Sequence, residues 1–240
     1  MTLPAAAALF GAQFKATTRS LPSLFYTIFL PAFLFVVFGL AFSINETYAA
    51  FFLPGMIGVM VSSDGLYAVG GVIKEYYRQG IVREFRSYPV SLFWLFSTFI
   101  MVRLIYVTAS VALLVLISWA MFDYLPDAAT VLRYVFAIAC GFASYSFIGL
   151  MIGFWGIQDN KDQPIISIYY FLGMFLSDAF MNLAARWTFM KTVTYFVFPL
   201  RSMLEFMRGD DAAAAGCVLW VLASMGAFSF MMRRVKPGKR

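Results

Sequence analysis

The chain has no histidine, two cysteines, and only 12% charged residues in a length of 240. Without histidine, the commonest metal ligand and the usual general base near neutral pH are both missing. Cys140 and Cys217 each sit inside an apolar stretch, where they read as small packing residues rather than as a disulfide. A soluble domain uses about 25% charged residues, and half that leaves too little polar material to face water on every side. The bilayer is therefore the missing solvent. Catalytic signatures are absent too: no lysine completes a G-x-x-x-x-G-K-[ST] phosphate loop, H-E-x-x-H cannot occur, and there is no G-x-S-x-G elbow. The chain is not expected to be an enzyme.

What is present is apolar: 62% hydrophobic residues and a mean hydropathy of +0.81. The apolar runs are continuous rather than alternating, which argues for helices and against a barrel. A hydrocarbon core of ~30 Å needs ~20 residues of helix, and six stretches meet that ruler. They cover residues 22–42, 51–73, 92–122, 134–157, 164–185 and 212–232. The predicted fold is all-α and integral to the membrane, with a six-span transmembrane domain over 21–235 and a basic tail over 236–240. Pro22 and Pro164 stand at span starts, where a missing N–H costs nothing, whereas Pro31 falls mid-span and predicts a kink.

The net charge of +6 is spread between the apolar runs rather than gathered in one block, a pattern of membrane orientation and not of nucleic-acid binding. With six spans, twelve of the 18 basic residues fall on one face, five on the other, and Arg103 lies within a span. The basic-rich face is cytoplasmic, so both termini are expected inside. Ahead of the first span, Leu3, Phe10 and Phe14 share a helical face, which predicts an amphipathic interfacial helix over residues 1–20. The first apolar run is too long for a signal-peptide core, and Ser43-Ile44-Asn45 offers no small-x-small cleavage site. Thr192 to Leu200 is apolar but only nine residues long, and predicts a short re-entrant or interfacial helix in the last outer loop.

Charges within spans cost ~3 kcal/mol or more and mark structure or function. Asp64 is ten residues from Lys74, and Arg103 is eleven from Leu92. At 1.5 Å per residue these are similar depths, ~15 and ~16 Å, on adjacent antiparallel helices, so an Asp64–Arg103 pair is expected. Whether it is purely structural or lines a pathway stays open. Arg133 and Asp178, nearer the outer face, form a second candidate pair, with a water-filled vestibule as the alternative place for Asp178. Gly149-Leu150-Met151-Ile152-Gly153 is a GxxxG in the fourth span, and glycines including Gly55 crowd the second, which favours close helix packing within the chain over a dimer seam.

The segment from Lys74 to Ser91 carries four basic and two acidic residues, and by charge alone is a solvated cytoplasmic loop. Its detail resembles the cytoplasmic loop of type-2 ATP-binding-cassette transporter permeases. In that family a glutamate-bearing helix, a glycine and a short basic stretch lead into Pro-[small/apolar]-Ser. Here these are Glu75, Gly80, Arg83 and Pro89-Val90-Ser91. Pro54-Gly55 is similar to the opening of that family's second span, and Phe198-Pro199-Leu200, followed by Glu205 and Arg208, to its outer segment. The family often has an acidic residue beside the loop glycine, whereas this chain has Arg78-Gln79.

The resemblance implies the membrane subunit of an exporter. Two six-span permeases, identical or different, would form the pathway in the cell inner membrane, each seated on a separate ATPase chain that binds ATP and Mg. Glu75, Arg78, Gly80, Arg83, Glu84 and Phe85 would contact that ATPase. The expected substrate is amphipathic, drug-like or lipid-linked, moved by alternating access. A polysaccharide-type export permease and a non-transporting membrane scaffold are the alternatives. An ungated channel is disfavoured, since no ring-forming acidic set appears.

Overall fold

A computed structural model describes residues 3–42, 46–80, 92–155, 162–180 and 187–234. Among these, every regular element is helical. Helix α1 is Leu3–Arg19, and α2 covers residues 21–42, its α-helical turns interrupted by a π-helical segment, Phe25–Phe29. Helix α3 covers residues 46–78, with a second π segment, Asp64–Gly71. Then follow α4 (Leu92–Phe122), α5 (Ala128–Trp155), α6 (Asp162–Leu176), α7 (Thr188–Val197), α8 (Pro199–Met207) and α9 (Ala213–Arg234).

Among the described residues four helices are long and apolar enough to cross a membrane: Glu46–Tyr76, Ser97–Phe122, Ala128–Phe154 and Ala213–Met231. The shortest of them, at 19 residues, extends about 28 Å. Two shorter apolar stretches, Thr27–Ala41 and Gln163–Leu176, fall in the first and fifth expected spans.

Helix α3 is the axis of the bundle. Phe52 to Ser62 are buried without a break, which a helix achieves only with neighbours on every side. Those neighbours are α2, α4, α5, α6 and α8. Helix α9 is the opposite case: Leu219, Leu222 and Phe230 are exposed, as apolar side chains facing lipid would be.

Close approach to α3 depends on glycine. A Cβ on Gly70 would stand within 3 Å of Gly149 backbone atoms, and one on Gly149 within 3 Å of Leu66 backbone atoms. Gly65 meets Tyr145 and Ser146 in the same way, and Gly153 faces Gly70 and Lys74. The Gly149/Gly153 motif is thus spent on an intrachain seam with α3. On another side of α3, after Pro54, the Gly55 backbone abuts Ala179 so closely that a side chain would overlap the Ala179 carbonyl.

Several boundaries differ from expectation. Helix α5 starts six residues before 134, because Asp127 caps it: the Thr130 amide donates to Asp127 Oδ1 at 3.1 Å. Hydrogen bonds from the Thr130 side chain and amide hold the exposed Asp127 carboxyl below the usual carboxylate range. Helix α6 ends at Leu176, and Asp178 follows in the left-handed region (φ 60°), a conformation that ends helices and that aspartate tolerates. In α2 the irregularity precedes Pro31: the Leu30 amide donates five residues back, to the Phe25 carbonyl.

The segment expected to form one short helix in the last outer loop is two short helices. Phe198, extended at φ −128° and ψ 123°, separates α7 from α8, as a residue before proline tends to do. The Leu200 amide in the first turn of α8 donates to Tyr145 Oη of α5 at 3.0 Å, which satisfies a donor with no partner inside its own helix. Trp220 of α9 donates to the Tyr195 carbonyl at 3.1 Å, and Tyr169 of α6 to the Val197 carbonyl at 3.0 Å.

Candidate functional site

The structure brings Asp64 and Arg103 together. Arg103 Nε donates to Asp64 Oδ2 at 2.9 Å, and Nη2 makes a short contact with Oδ1, a bidentate pair. Both residues are buried, at 4% and 6% exposure. Thr27 of α2 closes the group: its hydroxyl donates to Asp64 Oδ1 at 3.2 Å and accepts from Arg103 Nη2 at 3.2 Å. Three helices thus meet at one polar point. Each π segment supplies a member, Thr27 from within the first and Asp64 from the start of the second. Sequence reading missed Thr27, although it is the single Ser or Thr between Ser23 and Ser43.

The triad lies in the wall of a cavity of about 1300 Å³. Helices α2, α3, α4 and α6 form most of the wall, and Ala16, Thr17 and Ser20 close it at the α1 end. Helix α1 is held there by Tyr106 of α4, whose ring stacks on Phe14 at 5.5 Å and whose hydroxyl bonds to Thr18 at 2.6 Å. At the far end lie Phe38, Tyr48, Phe52 and Phe180.

Arg133 and Asp178 are not brought together. Arg133 Nε donates to Asp211 at 3.1 Å on the exposed surface. Asp178, standing beyond the helix that was expected to carry it, is turned toward α8 and pairs with Arg201. Arg201 also bonds Glu205 at 2.9 Å, and Lys191 of α7 reaches Glu205 at 3.4 Å. Arg208 adds bonds to the Phe51 and Asp178 carbonyls at 3.1 and 2.8 Å, with its guanidinium 3.9 Å above the Phe51 ring centroid. This cluster fastens α7 and α8 to the turn after α6 and to the start of α3. The i, i+4 spacing of Arg201 and Glu205 was its available signal.

Of the loop residues, Glu75 accepts a bond from the Gln79 side chain at 2.7 Å, and Gly80 has a φ of 75° just beyond the end of α3. The side chain of Arg78, and Arg83, Glu84 and Phe85 altogether, lie outside the described residues. Helix α3 runs unbroken from Asp64 to Glu75, so triad and loop entrance share one rod. Among the described residues no three His, Cys, Asp or Glu side chains group closely enough to hold a metal ion, and Cys140 and Cys217 are free thiols.

Neither a curated protein nor a solved structure matches the chain significantly. A family comparison does, over residues 5–211, from α1 to just before α9. With its apolar membrane-length helices and that match, the chain belongs to the ABC-2 type transporter family and is a multi-pass membrane permease subunit.

Proposed function

We propose that the chain is one of two permease subunits of an ATP-driven exporter in the cell inner membrane. It crosses the bilayer six times, with both termini cytoplasmic. A separate ATPase chain binds ATP and Mg, and the loop from Glu75 to Phe85 carries its motion into α3. The substrate is an amphipathic, drug-like or lipid-linked molecule, and access to it alternates between the two sides of the membrane.

The observation that carries this reading is the cavity of about 1300 Å³ among α2, α3, α4 and α6, apolar along most of its wall and polar at Asp64 and Arg103. A scaffold has no need of such a space. The two shorter apolar stretches in α2 and α6, added to the four membrane-length helices, support a reading with six crossings. The family's transport role supports a partner that hydrolyses ATP, since no phosphate loop occurs in this sequence.

The test is co-purification followed by turnover. An ATPase subunit is expected to copurify, and Arg83→Glu with Glu84→Arg is expected to lower substrate-stimulated ATP hydrolysis while leaving a monodisperse membrane protein. Unchanged coupling in the double reversal removes the loop from the assignment. Failure of any ATPase to copurify favours the scaffold.

A further inference from the structure

The cavity is polarised along its length. From the triad toward α1 its wall carries the hydroxyls of Thr17, Ser20, Thr27 and Ser63 and the Asp64–Arg103 pair beside Val72 and Phe99, whereas toward Phe180 it carries Leu34, Phe38, Phe52 and Met56 with Tyr48 as the polar exception. Its volume of about 1300 Å³ exceeds the ~300–1,000 Å³ of pockets for drug-sized ligands. A long molecule with one polar end and one apolar end matches both features, its head at the triad and its tail toward Phe180.

Charge narrows the head. Among the described residues lining the cavity, Asp64 and Arg103 are the charged ones, one of each sign and bonded to each other. The described part of the wall therefore carries no net charge. A singly charged head would enter with no counter-charge of its own, and an ion unpaired in apolar surroundings is disfavoured. A zwitterionic head supplies both signs: its anionic group adds to the guanidinium of Arg103, its cationic group to the carboxylate of Asp64, and no charge is left over. We propose that this cleft binds a zwitterionic phospholipid-like amphipath, with its head at Asp64, Arg103 and Thr27. The proposal rests on the reading of the chain as a permease for amphipathic molecules, and it names the head group that reading leaves open.

The experiment uses the purified full chain in nanodiscs, labelled by phosphatidylcholine carrying a photoreactive acyl chain. Labelling is mapped to α2 and α3, whose Leu34, Phe38, Phe52 and Met56 line the tail end, and is competed by unlabelled phosphatidylcholine, by anionic phosphatidylglycerol or by a cationic trimethylammonium lipid. Phosphatidylcholine is expected to compete at least tenfold better than either charged lipid, because a charge without a counter-charge in an apolar wall is disfavoured, and one unit-charge contact at ~4 Å and an effective dielectric of ~20 already exceeds that factor. Asp64→Asn, which leaves the wall positive, should move the preference about tenfold toward phosphatidylglycerol. Arg103→Gln should move it equally toward the cationic lipid. Soluble glycerophosphocholine, which has the head without the tail, should not compete at matched concentrations.

Equal competition by the three lipids in the unaltered chain overturns the proposal whether or not any variant folds, as does full competition by glycerophosphocholine. Single variants that fold yet keep the original order of preference also overturn it. If the single variants do not fold, the neutral double variant Asp64→Asn/Arg103→Gln must still disfavour both charged lipids. Failure here is distinct from failure of the transport reading. A chain that couples to its ATPase but binds all three lipids alike loses only the head-group assignment, and one that selects phosphatidylcholine without coupling loses only the transport reading.

Discussion

Removing one member of the Asp64–Arg103 pair tests what the pair contributes to folding. Two unit charges ~4 Å apart at an effective dielectric of ~20 attract by about 4 kcal/mol, and desolvating both ions opposes most of that gain. The net worth of the intact pair is therefore small, but removing either ion takes from the other the counter-charge that offsets most of its desolvation. With both side chains buried at 4% and 6% exposure, Arg103→Gln and Asp64→Asn are each expected to destabilise by about 3–4 kcal/mol. The double variant leaves no ion and three groups able to hydrogen-bond, since Thr27 stands 3.2 Å from each partner. It should lie within about 1 kcal/mol of the unaltered chain. The coupling energy from reversible unfolding in mixed micelles should then be at least about 5 kcal/mol, whereas independent sites add within ~0.5 kcal/mol. Additive single effects would refute the argument, because they would mean that neither charge depends on the other.

Other expectations follow from contacts. Gly70→Ala places a methyl within 3 Å of Gly149 backbone atoms and should cost about 2–3 kcal/mol in the same assay, while Gly226→Ala, with nothing within 4 Å, should be neutral or slightly stabilising. Arg201→Gln takes from the buried Asp178 carboxylate its Arg201 counter-charge and should loosen α8 from the turn after α6, read as faster thiol labelling of Cys217 and a loss of about 3 kcal/mol. Tyr145→Phe keeps volume but removes the acceptor of the Leu200 amide, and should cost about 1–2 kcal/mol by unfolding with little change in lipid competition.

Hydropathy located most of the bundle because lipid-facing helices announce themselves by length. Helix α4 falls at Leu92–Phe122, the expected limits, since polar residues bracket an uncharged run broken by one arginine. It fails where a charged residue is not a boundary. Hydropathy puts Arg133 just before the fourth span, yet it is part of α5, with its guanidinium at the exposed end on Asp211. It fails again at Asp178, whose φ of 60° is a local choice that no average of hydropathy reports. The partner of Asp178 was equally hidden, since Arg201 reaches it only when α8 docks against the turn. Depth along antiparallel helices, by contrast, needs only counting, and that placed Asp64 opposite Arg103. Thr27 was not countable in this way: its meeting with the pair depends on the π segments, which have no compositional signature.

The second π segment explains why only half of the glycine seam could be seen in the sequence. On α5 the small residues are four apart, Gly149 and Gly153, and an α-helix aligns them. On α3 the residues that meet them are five apart, Gly65 and Gly70, which an α-helix would rotate ~140° away from each other. Hydrogen bonds to the fifth residue bring that spacing back onto one face, so Asp64–Gly71 is π-helical where the seam needs it. One residue in this segment is then surplus to the α-helical register. Deleting Ala68 should turn the spacing into G-x-x-x-G and leave both the seam and the Asp64–Arg103 pair in place, within about 1–2 kcal/mol of the original stability. Deleting one residue ten positions earlier, in the α-helical part of α3, should instead turn Pro54, Gly55 and Met56 by ~100° relative to Asp64 and abolish folding. Unfolding midpoints of the two deletions measure the difference. Equal damage from both would mean that the π geometry is not what reconciles the two glycine spacings.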